Sequence, residues 1–302
     1  MKHICLALMM LAASDILAQT TPPEHEWHVT LQVVDETSQP VAEANAGVGY
    51  FYGQNATASS VDGFTDTNGI FTASHLAKSG LLSFTAEKIG YYRAWAQQDL
   101  GLNYDQIKWN FTQTLVLKKI EKPIAMYAKF NIPGLKVPEY GKPIAYDLEV
   151  GDWVGPYGKG VNQDIIFRKD YSDKGAEGYY SKVTVSFPKD GDGIQVYNIP
   201  DTEKGSALRS PHEAPLNGYQ PEVTRETSAL RGQPSKFEYD PNRIYIFRVR
   251  TALDVNGNVV SAHYGKIYGD FMQFTYYLNP APNSRNIEFD PKQNLLGGGQ
   301  QV

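Results

Sequence analysis

The sequence predicts an all-β chain built as two antiparallel β-sandwich domains. Three observations predict it. Tyr (20), Phe (13), Gly (27) and Pro (18) are plentiful, a composition of strands and turns. Short alternating or β-branched runs recur at close intervals, separated by Gly, Asp and Asn turns. No segment of useful length carries a helical apolar period.

The N-terminus precedes these runs and has its own grammar. Lys2 and His3 form a basic start, Ile4 to Ala13 an apolar run, and Ala18 a small residue ahead of Gln19. That order is a secretory signal over residues 1–18, and the run is too short to span a bilayer. The single cysteine, Cys5, lies inside it. The mature chain is therefore expected to lack disulfides, cysteine-ligated zinc, a thiol nucleophile and a lipidation site. No later run approaches the length of a transmembrane helix. The net charge of −5 offers no basic footprint for nucleic acid.

A polar, Pro-bearing leader spans 19–27. The first sandwich, 28–118, opens with His28 to Asp35 and continues through Gly47 to Tyr52, Gly69 to Ser74 and Leu81 to Glu87. Phe111 to Leu117 closes it. Lys118 to Pro123 is charged and ends in proline, so the boundary falls there. The second, larger sandwich covers 119–296. Its strands are read over Pro123 to Phe130, Ile144 to Val150, Ile165 to Arg168 and Lys182 to Phe187. Ile244 to Arg250 is the strongest strand in the chain. An Asn256-Gly257 turn returns it to Val259 to Tyr268, and Phe271 to Leu278 follows. Asp201 to Ser235 is polar and Pro-rich and reads as a surface excursion. Residues 297–302 read as a disordered tail.

Within 28–118, Val34-Asp35 with Pro40 to Ala44, Thr65-Asp66-Thr67-Asn68-Gly69-Ile70-Phe71, Lys88 to Tyr91 and Leu115 to Leu117 stand out. These patches resemble the carboxypeptidase regulatory-like domain, a transthyretin-like (prealbumin-like) sandwich. Gln39 stands where that family usually has Gly. The resemblance implies an accessory module with no chemistry of its own. Asp66 is expected to cap its turn and Phe71 to enter the core. In the second domain, Gly151 to Gly160, Phe247 to Thr251 and Phe274 to Pro280 resemble the C-terminal part of uncharacterised secreted bacterial proteins. That resemblance implies export and a shared architecture.

The search for chemistry is mostly negative. None of the six histidines begins a His-x-x-Glu pair, so the zinc-binding start of a metallocarboxypeptidase is missing, and no Gly-x-Ser-x-Gly elbow occurs. Gly158-Lys159-Gly160 fails as a phosphate loop. No motif implies a cofactor. Asp190 and Asp192, in a glycine-rich turn, are weak calcium candidates, but the other acids of an EF-hand are missing. His25 and His28 are three apart in the leader and read as solvated. Trp27, Trp95 and Trp109 are expected to pack in the first domain. Asp152, Trp153, Tyr157 and Lys159, on a four-glycine loop, are the ligand-binding candidates. Trp153 is expected as a core plug and Tyr157 as exposed.

Three function classes follow, the third being a purely structural envelope protein. The leading one is an exported module, periplasmic or extracellular, that binds or attaches without catalysis, with a glycan or a surface protein as partner. The alternative is a polysaccharide-active hydrolase using second-domain carboxylates, Asp147 and Glu149 being on one strand face.

Overall fold

The computed structural model describes residues 24–51, 59–78, 80–99, 109–132, 136–271 and 273–297. The expected signal, with Cys5, and residues 298–302 of the expected tail lie outside the described residues. The chain is nearly all β, as its composition predicts.

The first seven strands are β1 (His25–Asp35), β2 (Asn45–Phe51), β3 (Ser59–Phe64), β4 (Ile70–Ala77), β5 (Leu81–Glu87), β6 (Ala94–Asp99) and β7 (Asn110–Leu117). They form a three-stranded sheet, β4-β1-β7, and a four-stranded sheet, β3-β2-β5-β6. Alternate residues face inward, as the strand period of two requires. Trp27, Leu31 and Val33 on β1 meet Val48 on β2 and Leu82 and Phe84 on β5 in one buried core. Most pairings are antiparallel, but β1 runs parallel to β7. A parallel pair needs a long crossover, and here the whole domain supplies it.

The Thr65 to Phe71 element is a folding device. The Asp66 carboxylate accepts the N–H groups of Asn68 (2.9 Å) and Ile70 (2.8 Å). Gly69 takes φ +73°, and a Cβ there would strike the Val33 carbonyl. Phe71 packs against the core.

The structure departs from the sequence expectation at the leader, at His25 and at Trp95. The leader ends earlier than 27, because β1 starts at His25 and Trp27 is 0% exposed. His25 is stacked on Trp109 at 3.8 Å, so it is part of the fold and not a solvated tail. Trp95 does not pack inside; it is 53% exposed. Ala94 and Ala96 take the inward positions of β6, which turns Trp95 outward.

The remaining strands are β8 (Ile124–Ile132), β9 (Pro143–Asp147), β10 (Asp152–Trp153), β11 (Ile165–Asp173), β12 (Gly178–Ser186) and β13 (Gly193–Asn198). After them come β14 (Glu222–Leu230), β15 (Lys236–Phe237), β16 (Arg243–Leu253), β17 (Val259–Gly269), β18 (Phe274–Leu278) and β19 (Phe289–Asn294). Two six-stranded sheets result, β10-β9-β11-β12-β14-β15 and β13-β16-β17-β18-β8-β19. Ile165, Phe167 and Val185 of one pack on Phe247, Ile267 and Tyr276 of the other.

The polar stretch from Asp201 to Ser235 is not a surface excursion. It contains β14, and Leu208, Ser210 and Ala214 are buried. Ala214 joins Ile246, Ala262 and Tyr264 in a further core on the outer face of the second sheet. β14 carries no apolar alternation because one of its inward positions is Arg225, which donates to the Tyr245 hydroxyl.

The same stretch joins the two sandwiches. Trp95 N–H donates to Gly205 O (3.0 Å) and Ala207 N–H to Arg93 O (2.9 Å), which extends the edge of β6. Lys118, charged and at the predicted boundary, is only 2% exposed. Its ammonium meets Glu203 at 2.8 Å and donates to the Ser210 carbonyl at 3.0 Å. Across the junction, Glu288 accepts from the Tyr92 hydroxyl (2.7 Å) and the Lys122 N–H (2.7 Å). Burial works against its charge, but the Lys122 N–H, the Tyr92 hydroxyl and the Glu121 N–H hold its carboxyl below the ordinary range.

Removing a buried cation strands the carboxylates it served. Lys118→Ala is expected to cost about 3 kcal/mol in urea denaturation at neutral pH. Lys119→Ala, exposed next door, is expected to change stability by less than about 0.5 kcal/mol. Equal effects would show that Lys118 does not hold the junction.

Candidate functional site

Of the ligand-binding candidates, Asp152 and Trp153 lie on β10, and Tyr157 and Lys159 on the loop from it to β11. Its base is built by Asp147, at the end of β9. This carboxylate is wholly buried. One oxygen accepts Glu149 N–H (3.0 Å) and Val150 N–H (3.1 Å) on the outgoing turn. The other accepts Val161 N–H (2.9 Å) and Asn162 N–H (2.8 Å) on the returning leg. Burial alone would raise its pKa; these four donors outweigh it and hold the carboxyl below its ordinary value.

Asp152 does the same for the tip. Its oxygens accept Trp153 N–H (2.8 Å) and Lys159 N–H (2.9 Å), which closes the loop over a cis Gly155–Pro156 peptide. Trp153 is half-buried and points inward. Its ring meets Tyr146 edge-on at 5.2 Å and Phe167 at 5.8 Å. Tyr157 and Lys159 are exposed. Tyr157 is 41% exposed, and its hydroxyl donates to Glu139 at 3.0 Å. Glu139 also pairs with Lys142 at 2.7 Å. The Lys142 ammonium and the Tyr157 hydroxyl together lower the Glu139 pKa. The structure therefore splits the four candidates: Asp152 and Trp153 build the loop, while Tyr157 and Lys159 face outward.

Tyr157 borders a surface groove of about 320 Å³. Pro143, Ala145, Val154, Gly155 and Ile166 complete its wall. The groove is mixed in polarity, with Gln163 among its lining residues and the Tyr157–Glu139 hydrogen bond beside it.

The acids of this end converge on Arg250, a residue the sequence reading took as ordinary strand. Its guanidinium grips Asp164 with two bonds, Nε to Oδ1 at 2.7 Å and Nη2 to Oδ2 at 2.9 Å. Nη1 reaches Glu149 at 2.6 Å, and Nη2 lies 3.7 Å from Asp147. Asp147 and Glu149 thus share an arginine.

The calcium candidates also separate. Asp190 is exposed, whereas Asp192 is 6% exposed and turned into the protein. It accepts Thr251 N–H at 2.7 Å and Arg250 N–H at 3.2 Å. Burial pushes its carboxyl up, against the pull of those donors. The glycine-rich turn thus sends Asp192 to tie β16 and not toward a cation. Among the described residues, no group of three or more His, Cys, Asp or Glu side chains is arranged to hold a metal ion.

No protein-family model matches the chain, and no curated protein matches it. Solved structures give partial matches. A 3-chlorocatechol 1,2-dioxygenase from Rhodococcus opacus is 13% identical at a TM-score of 0.25, over 34% of this chain and 62% of that one. A streptococcal ancillary pilin is 13% identical at 0.25, over 49% of this chain and 53% of that one. A shaft-pilin variant from Lactobacillus rhamnosus GG is 10% identical at 0.22, over 88% and 95%. The chain thus spans less than two thirds of the first two. Scores this low equate neither fold nor function.

The two loop aromatics are expected to respond differently to truncation. Trp153→Ala leaves a void beside Tyr146 and Phe167 and should cost about 3 kcal/mol or more. Tyr157→Ala should stay within about 0.5 kcal/mol of the parent. Thermal and urea melts check both, and a harmless Trp153→Ala would remove the ring from the core.

Proposed function

We propose that the chain acts outside the cytoplasm as a binding or attachment module without catalysis, with a glycan or a surface protein as its partner. The observation that carries this reading is the condition of the second-domain acids. Glycoside hydrolysis needs one protonated carboxyl and one free carboxylate facing the bond to be cut. Asp147 is spent on four backbone N–H groups and held ionised by them. Glu149 and Asp164 are both tied to Arg250. Asp192, the carboxyl pushed upward, faces the Thr251 N–H and not a groove. These groups serve the fold, and the surface they leave is one of exposed rings and hydrogen-bonding side chains, suited to holding a partner.

The comparison that tests this places binding beside turnover. Purified chain is applied to a polysaccharide panel, and retention and release of reducing ends are measured together. Retention without release is expected. Release above a heat-inactivated control, abolished by Glu149→Gln, would overturn the reading in favour of the hydrolase.

A further inference from the structure

The outward face of the β3-β2-β5-β6 sheet has an arrangement that the core does not explain. Register fixes its rows. Asp62 on β3 lies beside Gly47 on β2, Thr85 on β5 and Trp95 on β6. The next row is Ser60, Gly49, Ser83 and Gln97. On the other side, Phe64 stands beside Asn45 and Glu87. The two rings are strongly exposed, Phe64 at 71% and Trp95 at 53%. Three strand spacings of about 4.8 Å across the sheet and two residues of about 3.4 Å along it put them roughly 16 Å apart, with small polar residues between.

Gly47 and Gly49 keep the middle of this face low. A Cβ at Gly47 would collide with Asp62 Oδ1 and lie 2.9 Å from Thr85 Oγ1. A Cβ at Gly49 would come within 2.5 Å of Ser83 Oγ. An acceptor and a hydroxyl therefore converge above the Gly47 backbone, in space that only glycine leaves. Ser60 donates to the other Asp62 oxygen at 2.8 Å, which orients the carboxylate and leaves Oδ1 turned toward Thr85.

We propose that this face binds a neutral oligosaccharide, stacked on Trp95 and Phe64 and hydrogen-bonded through Asp62 and Thr85. The inference rests on the reading of the chain as a binding module, and goes further by naming the ligand class and a place in the first domain. Sugar rings pair an apolar face with a rim of hydroxyls. Exposed aromatic rings supply the first complement, and a carboxylate beside hydroxyls the second. Charge selects a neutral ligand. Among the described residues Asp62 has no cationic partner, and Arg93 is already paired with Glu87 at 2.9 Å, so an acidic sugar would meet repulsion at Asp62. A peptide adding as a strand is disfavoured at the β6 edge beside Trp95, because the 205–207 segment already takes up hydrogen bonds there.

The test is titration of the full chain with cello-, xylo-, manno- and chito-hexasaccharides, by calorimetry, with melting temperatures measured in parallel. At least one is expected to bind. Trp95→Ala and Asp62→Asn should each weaken that binding about tenfold or more with the melt unchanged, since both side chains are exposed. Tyr157→Ala should leave it intact. Binding that survives Trp95→Ala and Asp62→Asn, or is lost only in Tyr157→Ala, overturns the proposed face while the module reading stands. Failure of every hexasaccharide to bind overturns the oligosaccharide assignment, again without touching that reading. Hydrolysis of the sugar during titration would sink the module reading itself.

Discussion

Arg250 is the point on which the second sandwich depends. The register between β16 and β17 slips by one residue after Val249, and Arg250 sits in that bulge at φ +57°. The bulge turns its guanidinium across the sandwich end toward Asp164, Glu149 and Asp147. Its own N–H and that of Thr251 are taken by Asp192, from the turn before β13. One residue thus links both sheets and two turns. Burial alone would lower the arginine pKa; the bonds to Asp164 and Glu149 reverse this and raise it. Planar, bidentate pairing makes a part-buried arginine tolerable where a lysine would not serve as well.

The same constraint bears on function. A carboxylate can be a structural tie or an acid–base catalyst, but the two uses demand different surroundings. Here the hub draws Asp147, Glu149, Asp164 and Asp192 into ties, each with its donors already in place. The junction repeats the pattern with Glu203, Glu288 and Lys118. Polar groups hold this protein together at its two most irregular places.

Much of the fold was legible because local rules agreed with each other. Residues 244–250 and 182–187 alternate or run apolar as strands do, and Asp66 and Gly69 announce a turn by chemistry alone. The misses share a physical cause. β14 is inwardly polar because Arg225 reaches Tyr245, so no apolar pattern marks it. Lys118 reads only as part of a charged boundary because its partner Glu203 lies 85 residues away. Trp95 looked like core because composition does not say which face of β6 a residue takes; the small Ala94 and Ala96 beside it were the available signal. Asp192 and Arg250 are joined only by tertiary contact, which no spacing rule reports.

Arg250→Met tests the central claim most directly, because it keeps bulk and removes the charge. Urea denaturation at neutral pH is expected to show a loss of about 3–5 kcal/mol, since Asp164 and Asp147 are left buried without their cation. Stability within about 0.5 kcal/mol of the parent, the range of an ordinary surface change, would contradict the account.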